Sequence, residues 1–543
     1  MRPCVALVLT FVPLLPEPRA QEVVWRRTGT AGQELLGGAM AVIGDVNGDG
    51  IADVITVIQP YGTEMEVLSG RDGSVLRHRP QFGPTHGFQT LAAAGDVDGD
   101  GIGDYATTLV DGTGFDVARV QVCSGRDDHE IYQVTHWAPF QFDGFGAYLA
   151  GDLDLDGDGR PDLVISAIYD RPRGAVYAYL RGGTRQHLIR EADYSLGPCA
   201  RVGDVDHDGC DDFVVGAGHL DTLGRARVYS GRTGALLVQG FGEMPNDNLG
   251  DAVMGCGDLD GDGVPDFAAA GLPFQVGRLI TRAFSGRTGQ ALYTWPNKCA
   301  FQFAEPIDFD QDGIPDLVCG APYVDPRLPG RPGRVYVLSG RDGTVIHEQL
   351  PSPDGPSNAT LLGYTIVSMP AQAGSPFPLY VVAEPGFVDA NYQSIGRIYC
   401  VRASPPGVTG FGSGCPGTLA TTPRVGMRNF GSQGVRVHLS NAPPGAPALL
   451  LLGLSSTQLG PLPLPLALTS YGFPGCQLLS SADVALPVTT GVQGTSAGYA
   501  FCDIALPLGG SGPRTFAVYG QWLCLGQGAT WPGGVSAALA WRN

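Results

Sequence analysis

The chain has 543 residues, room for about two to four domains, with 43% hydrophobic residues and a formal net charge of −19 from 34 basic and 53 acidic side chains. That balance leaves no basic stripe to displace counterions from phosphate and argues against a nucleic-acid partner. The 81 glycines and 43 prolines fall at strand ends, and helix-period stretches are nearly absent, which predicts an all-β protein with many turns.

Residues 1–20, MRPCVALVLTFVPLLPEPRA, combine one early basic residue, an apolar core from Val5 to Leu15 and Ala20 before Gln21. This pattern predicts a secretory signal peptide cleaved near Ala20, and hence a secreted or cell-surface protein. Cys4 lies too early for a lipid-anchor cysteine. No later stretch reaches the ~18 apolar residues of a membrane span; Ala446 to Leu454 has only the length of a buried strand.

From residue 44 onward one acidic stretch recurs six times. Its copies offer Asp45, Asn47, Asp49, Ile51 and Asp53; Asp96, Asp98, Asp100, Ile102 and Asp104; Asp154, Asp156, Asp158, Arg160 and Asp162; Asp204, Asp206, Asp208, Cys210 and Asp212; Asp258, Asp260, Asp262, Val264 and Asp266; and Asp308, Asp310, Asp312, Ile314 and Asp316. Successive first aspartates stand 51, 58, 50, 54 and 50 residues apart, a period long enough for a small sheet per unit. In DxDxDGxxD, oxygens at positions 1, 3 and 5 of a tight turn converge on one point. The Gly at 6 permits the reversal, position 7 offers its backbone carbonyl, and an acid closes the set at 9. That cage suits a hard cation, Ca²⁺ best, and predicts about six bound ions, with the Asn47 copy weakest because it gives up a carboxylate. Asp, Asn and Gly also make good turns without a metal, but six copies in phase outweigh that reading. An EF-hand would close with Glu at position 12 inside a helix. Here Asp at 9 leads into β-rich runs such as Val54 to Ile58, so each loop joins two strands.

Each unit runs Leu/Phe-Gly, a small-residue strand, the acidic loop, a strand ending near Gly-Ala-Pro, a Gly-Arg-Val-Tyr-type strand, and Ser-Gly-Arg-x-Gly. Examples are Phe145-Gly146, Leu249-Gly250, Gly320-Ala321-Pro322, Gly333-Arg334-Val335-Tyr336 and Ser339-Gly340-Arg341. This pattern resembles the FG-GAP (VCBS-type) repeat of the integrin alpha-subunit propeller over about three quarters of the chain. The resemblance implies a β-propeller that binds calcium and an extracellular protein or glycan ligand.

After Ser339 to Gly343 a seventh unit follows: Leu362 to Val367, Leu379 to Pro385 and Gly396 to Val401, with Met369 to Phe377 in place of the acidic loop. It predicts a seventh blade without metal. Its outer strand is missing, because the chain turns into Pro405-Pro406. Glu22 to Arg27 resembles such a strand, so the ring is expected to close by pairing the first strand with the last blade, which removes two open sheet edges.

At Ser404 the repeat stops. Residues 404–543 hold almost no Asp or Glu and show several short strand-like runs, which suggest a β-sandwich. The expected architecture is therefore a signal peptide (1–20), a seven-bladed propeller (21–403) and a sandwich (404–543). Cys415, Cys476, Cys502 and Cys524 allow two bridges in three connectivities, and the remaining cysteines read as buried small hydrophobes. Trp522, Trp531, Trp541 and Tyr471 could form a sugar platform, although core packing is the expected use.

Three functions fit this reading: a non-catalytic adhesion or ligand-binding module, expected to be a monomer; a polysaccharide- or phosphoester-cleaving enzyme; and a structural spacer. The sequence offers no GxSxG or HExxH, and carboxylate pairs such as Asp152 with Asp154, or Asp211 with Asp212, are better explained by metal ligation than by glycosidase chemistry.

Overall fold

The computed structural model describes residues 22–29, 36–58, 64–79, 90–110, 117–137, 143–170, 174–190, 196–218, 223–245, 247–271, 280–296, 300–322, 333–351, 361–371, 377–388, 395–402, 408–411, 414–416, 419, 421–430, 434–471, 473, 475–505, 517–525 and 534–542. The expected signal peptide, Cys4, Cys299, Pro405, Pro406 and Trp531 lie outside them. So do residues 372–376 of the stretch that replaces the seventh acidic loop.

Among the described residues the chain is all-β, with two 3-10 turns and no α-helix, and it contains seven four-stranded antiparallel sheets. The first is Met40–Val42, Val54–Ile58, Glu64–Leu68 and Val75–Arg79, and the same meander repeats up to the sixth, Gln302–Ile307, Asp316–Ala321, Arg334–Leu338 and Val345–Gln349. The innermost strands touch one another in succession, and the innermost strand of the seventh sheet, Ile366–Met369, returns to touch Met40–Val42. This is a β-propeller. Second strands such as Val54–Ile58 and Asp212–Ala217 are buried at every position. Sheets stacked on both faces explain why these strands read as continuous apolar runs rather than alternating ones.

The seventh sheet takes its outer strand from the other end of the chain, as the sequence predicts. Glu22–Thr28 pairs antiparallel with Arg397–Arg402, Glu22 opposite Arg402 and Thr28 opposite Arg397. The seam is fastened to the first sheet by the Trp25 indole N–H, which donates to the Gly70 carbonyl at 2.9 Å, and by Arg27, which pairs with Glu66 at 2.6 Å.

The same joint recurs round the ring. The outer strand of one sheet rests on the Ser-Gly-Arg-x-Gly turn of the next: Arg77 donates to the Arg126 carbonyl and clasps Asp128, His187 contacts the Gly231 carbonyl, and Trp295 donates to the Gly343 carbonyl. The last residue of that turn is left-handed, with φ +73° at Gly73 and +69° at Gly343, and the turn at 124–128 places Asp128 there at φ 67°.

Beyond the seventh sheet a five-stranded sheet (Val408–Phe411, Gly534–Arg542, Ala517–Cys524, Pro447–Gly453, Val484–Thr489) faces a three-stranded one (Arg424–Phe430, Gly434–Ser440, Ala500–Ala505). Leu450, Trp522 and Leu539 from the first share one apolar core with Val425, Val437 and Cys502 from the second. Trp522 is fully buried and donates to the His438 carbonyl at 2.7 Å, so it is a core residue rather than part of a sugar platform. One disulfide is formed, Cys415 to Cys476, in place of the two allowed by counting; Cys502 and Cys524 serve as buried thiols filling the core. Phe377, at the end of the stretch that replaces the seventh acidic loop, is buried in this same core.

Candidate metal centres

Each acidic loop is shaped by its own carboxylates. In the second, Asp96 Oδ1 accepts the N–H groups of Gly99 and Asp100 and its Oδ2 accepts that of Gly101, while Asp98 Oδ1 accepts Asp100 N–H and Asp100 Oδ1 accepts Ile102 N–H. The fifth loop repeats the pattern from Asp258 to Val264. The fourth residue of every loop is left-handed: glycine in four loops, but His207 at φ 60° and Gln311 at φ 64° in the fourth and sixth. His207 is exposed there.

The closing aspartate, at position 9, is buried in every loop. Asp53, Asp104, Asp212, Asp266 and Asp316 are fully buried and Asp162 nearly so. One oxygen accepts the N–H of loop position 2 and the other that of the following turn, as when Asp266 binds Leu259 and Gly286. Burial, opposed in part by these hydrogen bonds, pushes Asp162, Asp212 and Asp266 up to about 7, with the neighbouring loop carboxylates adding to the rise.

Carboxylate oxygens converge in five loops: Asp96, Asp98 and Asp104; Asp154, Asp156 and Asp162; Asp204, Asp206 and Asp212; Asp258, Asp260 and Asp262; and Asp308, Asp310 and Asp316, each set lying within 4.8 Å. Oxygens on opposite sides of one Ca²⁺ at about 2.4 Å stand about that far apart. These clusters could hold a metal ion, and without one each pair of charges repels by roughly 3 kcal/mol at an effective dielectric of about 20. Asp45, Asp49 and Asp53 form no such set, consistent with Asn47 standing where the other loops have a third carboxylate.

Position 5 joins the cluster in the fifth loop alone. Here the sequence reading missed a partner, the arginine of Ser-Gly-Arg-x-Gly. Arg71, Arg126, Arg232, Arg287 and Arg341 each pair with the position-5 carboxylate of their own unit, Asp49, Asp100, Asp208, Asp262 and Asp312, and donate to its backbone carbonyl as well. The Arg126 hydrogen bond holds Asp100 below the usual carboxylate range. The third unit has Gly182 where the arginine would stand. At position 7 the expected carbonyl donors place their N–H groups on the position-5 carboxylate. The Ile102, Cys210, Val264 and Ile314 side chains are buried, while Arg160 is exposed.

Of the carboxylate pairs considered for hydrolysis, Asp211 with Asp212 is committed to structure. Asp211 forms a two-pronged pair with Arg201 and accepts the Asp154 N–H, and Asp212 closes its loop.

Two stretches of the ring match FG-GAP repeats. Residues 154–215 match the FG-GAP-like repeat and residues 306–338 the FG-GAP repeat. Among curated relatives, integrin alpha-5 of Xenopus laevis is 28% identical over 205 residues, covering 33% of this chain and 19% of that protein. Integrin alpha-PS2 of Drosophila melanogaster is 33% identical over 206 residues, covering 32% and 14%, and human integrin alpha-IIb is 29% identical over 214 residues, covering 34% and 20%. The match thus spans a fifth or less of the length of these relatives. The solved structure of the Dos1 propeller overlays 70% of this chain and 96% of its own at 10% identity, with a TM-score of 0.41, too low to fix blade number or function.

Proposed function

We propose that the protein is a secreted or cell-surface, calcium-stabilised module that binds an extracellular protein or glycan and performs no catalysis. The observation that carries this reading is the set of five recurring aspartate clusters, each with oxygens within 4.8 Å, in a propeller built from integrin-alpha-like repeats. In this reading the seven sheets are seven blades of one ring spanning residues 21–403, and residues 404–543 form an appended sandwich. Residues 1–20 are a signal peptide removed on export. Ca²⁺ occupies about six sites, with position 7 supplying its carbonyl, and the first loop, with Asn47, binds most weakly. The protein acts as a monomer, and among the described residues no helix is long and apolar enough to cross a membrane.

The experiment is a glycan and matrix-protein array probed with purified protein, with calcium or with chelator, alongside atomic-emission measurement of bound calcium. About five or six ions per chain and calcium-dependent capture without turnover are expected. Two or fewer ions at millimolar calcium refute the metal assignment. Release of a cleaved product refutes the absence of catalysis, and silence on every surface refutes ligand binding.

A further inference from the structure

The six acidic loops are nearly interchangeable in sequence, but one differs in its surroundings. At positions 3 and 5 the first five loops are exposed or half-buried, whereas Asp310 is 1% and Asp312 0% exposed. The cover is the three-stranded C-terminal sheet. Ser440 Oγ donates to the Gln311 carbonyl at 2.7 Å, and His438 Nε2 lies 3.6 Å from Asp310 Oδ2, both side chains shut off from water. Tyr499 stacks on the Arg341 guanidinium at 3.7 Å, and that guanidinium in turn holds Asp312 at 2.7 Å. Strand Arg424–Phe430 approaches so closely that a Cβ at Gly426 would stand 1.8 Å from the Asp310 carbonyl oxygen.

We propose that the sixth loop is a cation-dependent latch between the propeller and the C-terminal sheets. Binding of a divalent ion by Asp308, Asp310 and Asp316 and docking of the three-stranded sheet favour each other. The proposal rests on the reading of the loops as cation sites and adds a role for one of them. Docking removes water from a group of carboxylates whose oxygens lie within 4.8 Å of one another, and stripping water from converging like charges is costly unless a cation sits among them. The first five loops keep positions 3 and 5 within reach of water and bear less of this penalty. Coupling between two binding events is reciprocal, so whatever the ion contributes to docking, docking contributes to holding the ion. Loss of the ion releases strands 424–430 and 434–440 from the loop, while Phe377, packed in the apolar core on the other side, keeps the C-terminal sheets tethered. The sixth ion is also the slowest to leave, because its exit requires the cover to lift.

The test is hydrogen–deuterium exchange on the full chain, read at residues 424–430, with calcium-45 release followed in parallel. In wild type, chelation with EGTA should speed exchange there on the order of tenfold, within the usual range of such couplings, and added calcium should reverse it. Asp310→Asn should produce the fast exchange even in saturating calcium. Asp260→Asn, the counterpart in the exposed fifth loop, should lower calcium uptake while leaving residues 424–430 protected. Gly426→Val, which alters no carboxylate, should speed the slowest phase of calcium release about tenfold. If Asp310→Asn lowers bound calcium but exchange at 424–430 stays slow, or if Asp260→Asn loosens that strand equally, the latch is wrong while the cation loops stand. If wild type binds no calcium, both readings fall. Should Asp310→Asn fail to fold, Gly426→Val decides alone: unchanged release kinetics overturn the latch.

Discussion

Trp25 is the side chain on which closure of the ring most depends. It is 7% exposed, sits in the outer strand of the seventh sheet, and packs in one core with Leu68 of the first sheet and Met369 and Leu379 of the seventh. Its ring lies against Gly73, where a Cβ would come within 2.5 Å of the indole, and its N–H reaches the Gly70 carbonyl at 2.9 Å. Trp25→Ala removes a buried aromatic, costing about 3–5 kcal/mol, and loses the hydrogen bond of the indole, costing about 1 kcal/mol more. A loss of about 5 kcal/mol is a third or more of a typical domain stability. Trp295→Ala is the matched control: its indole donates to the Gly343 carbonyl at an internal joint, where the chain itself runs on into the next sheet. Urea unfolding followed by circular dichroism should show comparable losses for both variants. Only Trp25→Ala should also aggregate on size-exclusion chromatography, because only there does a loosened strand expose two sheet edges. A Trp25→Ala protein within about 1 kcal/mol of wild type, and monodisperse, would refute the closure argument.

Two further outcomes follow from half-buried groups. Burial holds His347 down to about 4, so above pH 6.5 it is neutral whether folded or not, and between pH 6.5 and 4 the unfolded chain alone takes up the proton. Stability should fall across that window by at most about 3 kcal/mol from this group, and His347→Leu should flatten that part of a urea-midpoint-against-pH curve. Cys415→Ser opens a cross-link spanning 61 residues and should cost about 4 kcal/mol by the chain-entropy relation, lowering the unfolding midpoint of the C-terminal sheets while leaving calcium uptake unchanged. An equal loss in reduced wild type would confirm that the bridge, rather than the side chain, is responsible.

The loops were legible in the sequence because their shape is local: carboxylates two residues apart, with Gly101 or Gly263 at the reversal, bond to N–H groups within the same ten residues. The seventh sheet and its borrowed strand were legible from repeat phase, since one unit lacked an outer strand and the chain began with one to spare. What sequence could not supply is distant partners. Ser-Gly-Arg-x-Gly was visible as a repeat, but nothing local says that Arg287 reaches back 25 residues to hold Asp262. The sixth loop reads like the others, and its burial depends on Gly426, His438 and Ser440, more than a hundred residues away. Cysteine pairing was equally hidden, because Cys415, Cys476, Cys502 and Cys524 differ only in what lies across from them once the two sheets face each other.

The pairing of Glu22–Thr28 with Arg397–Arg402 also sets a timetable. A ribosome adding about 5–20 residues per second releases the first strand tens of seconds before its partner exists. During that interval the strand Val23-Val24-Trp25, with its unsatisfied backbone groups and large apolar ring, has no place in any sheet. The six sheets built from consecutive strands can form as they emerge, each from neighbours in sequence, whereas the last join must gather the two ends of the propeller across the whole of it. Maturation of this protein therefore ends with its beginning. Truncation anywhere before residue 402 should leave an incomplete ring, prone to pair through its open edges with another copy of itself.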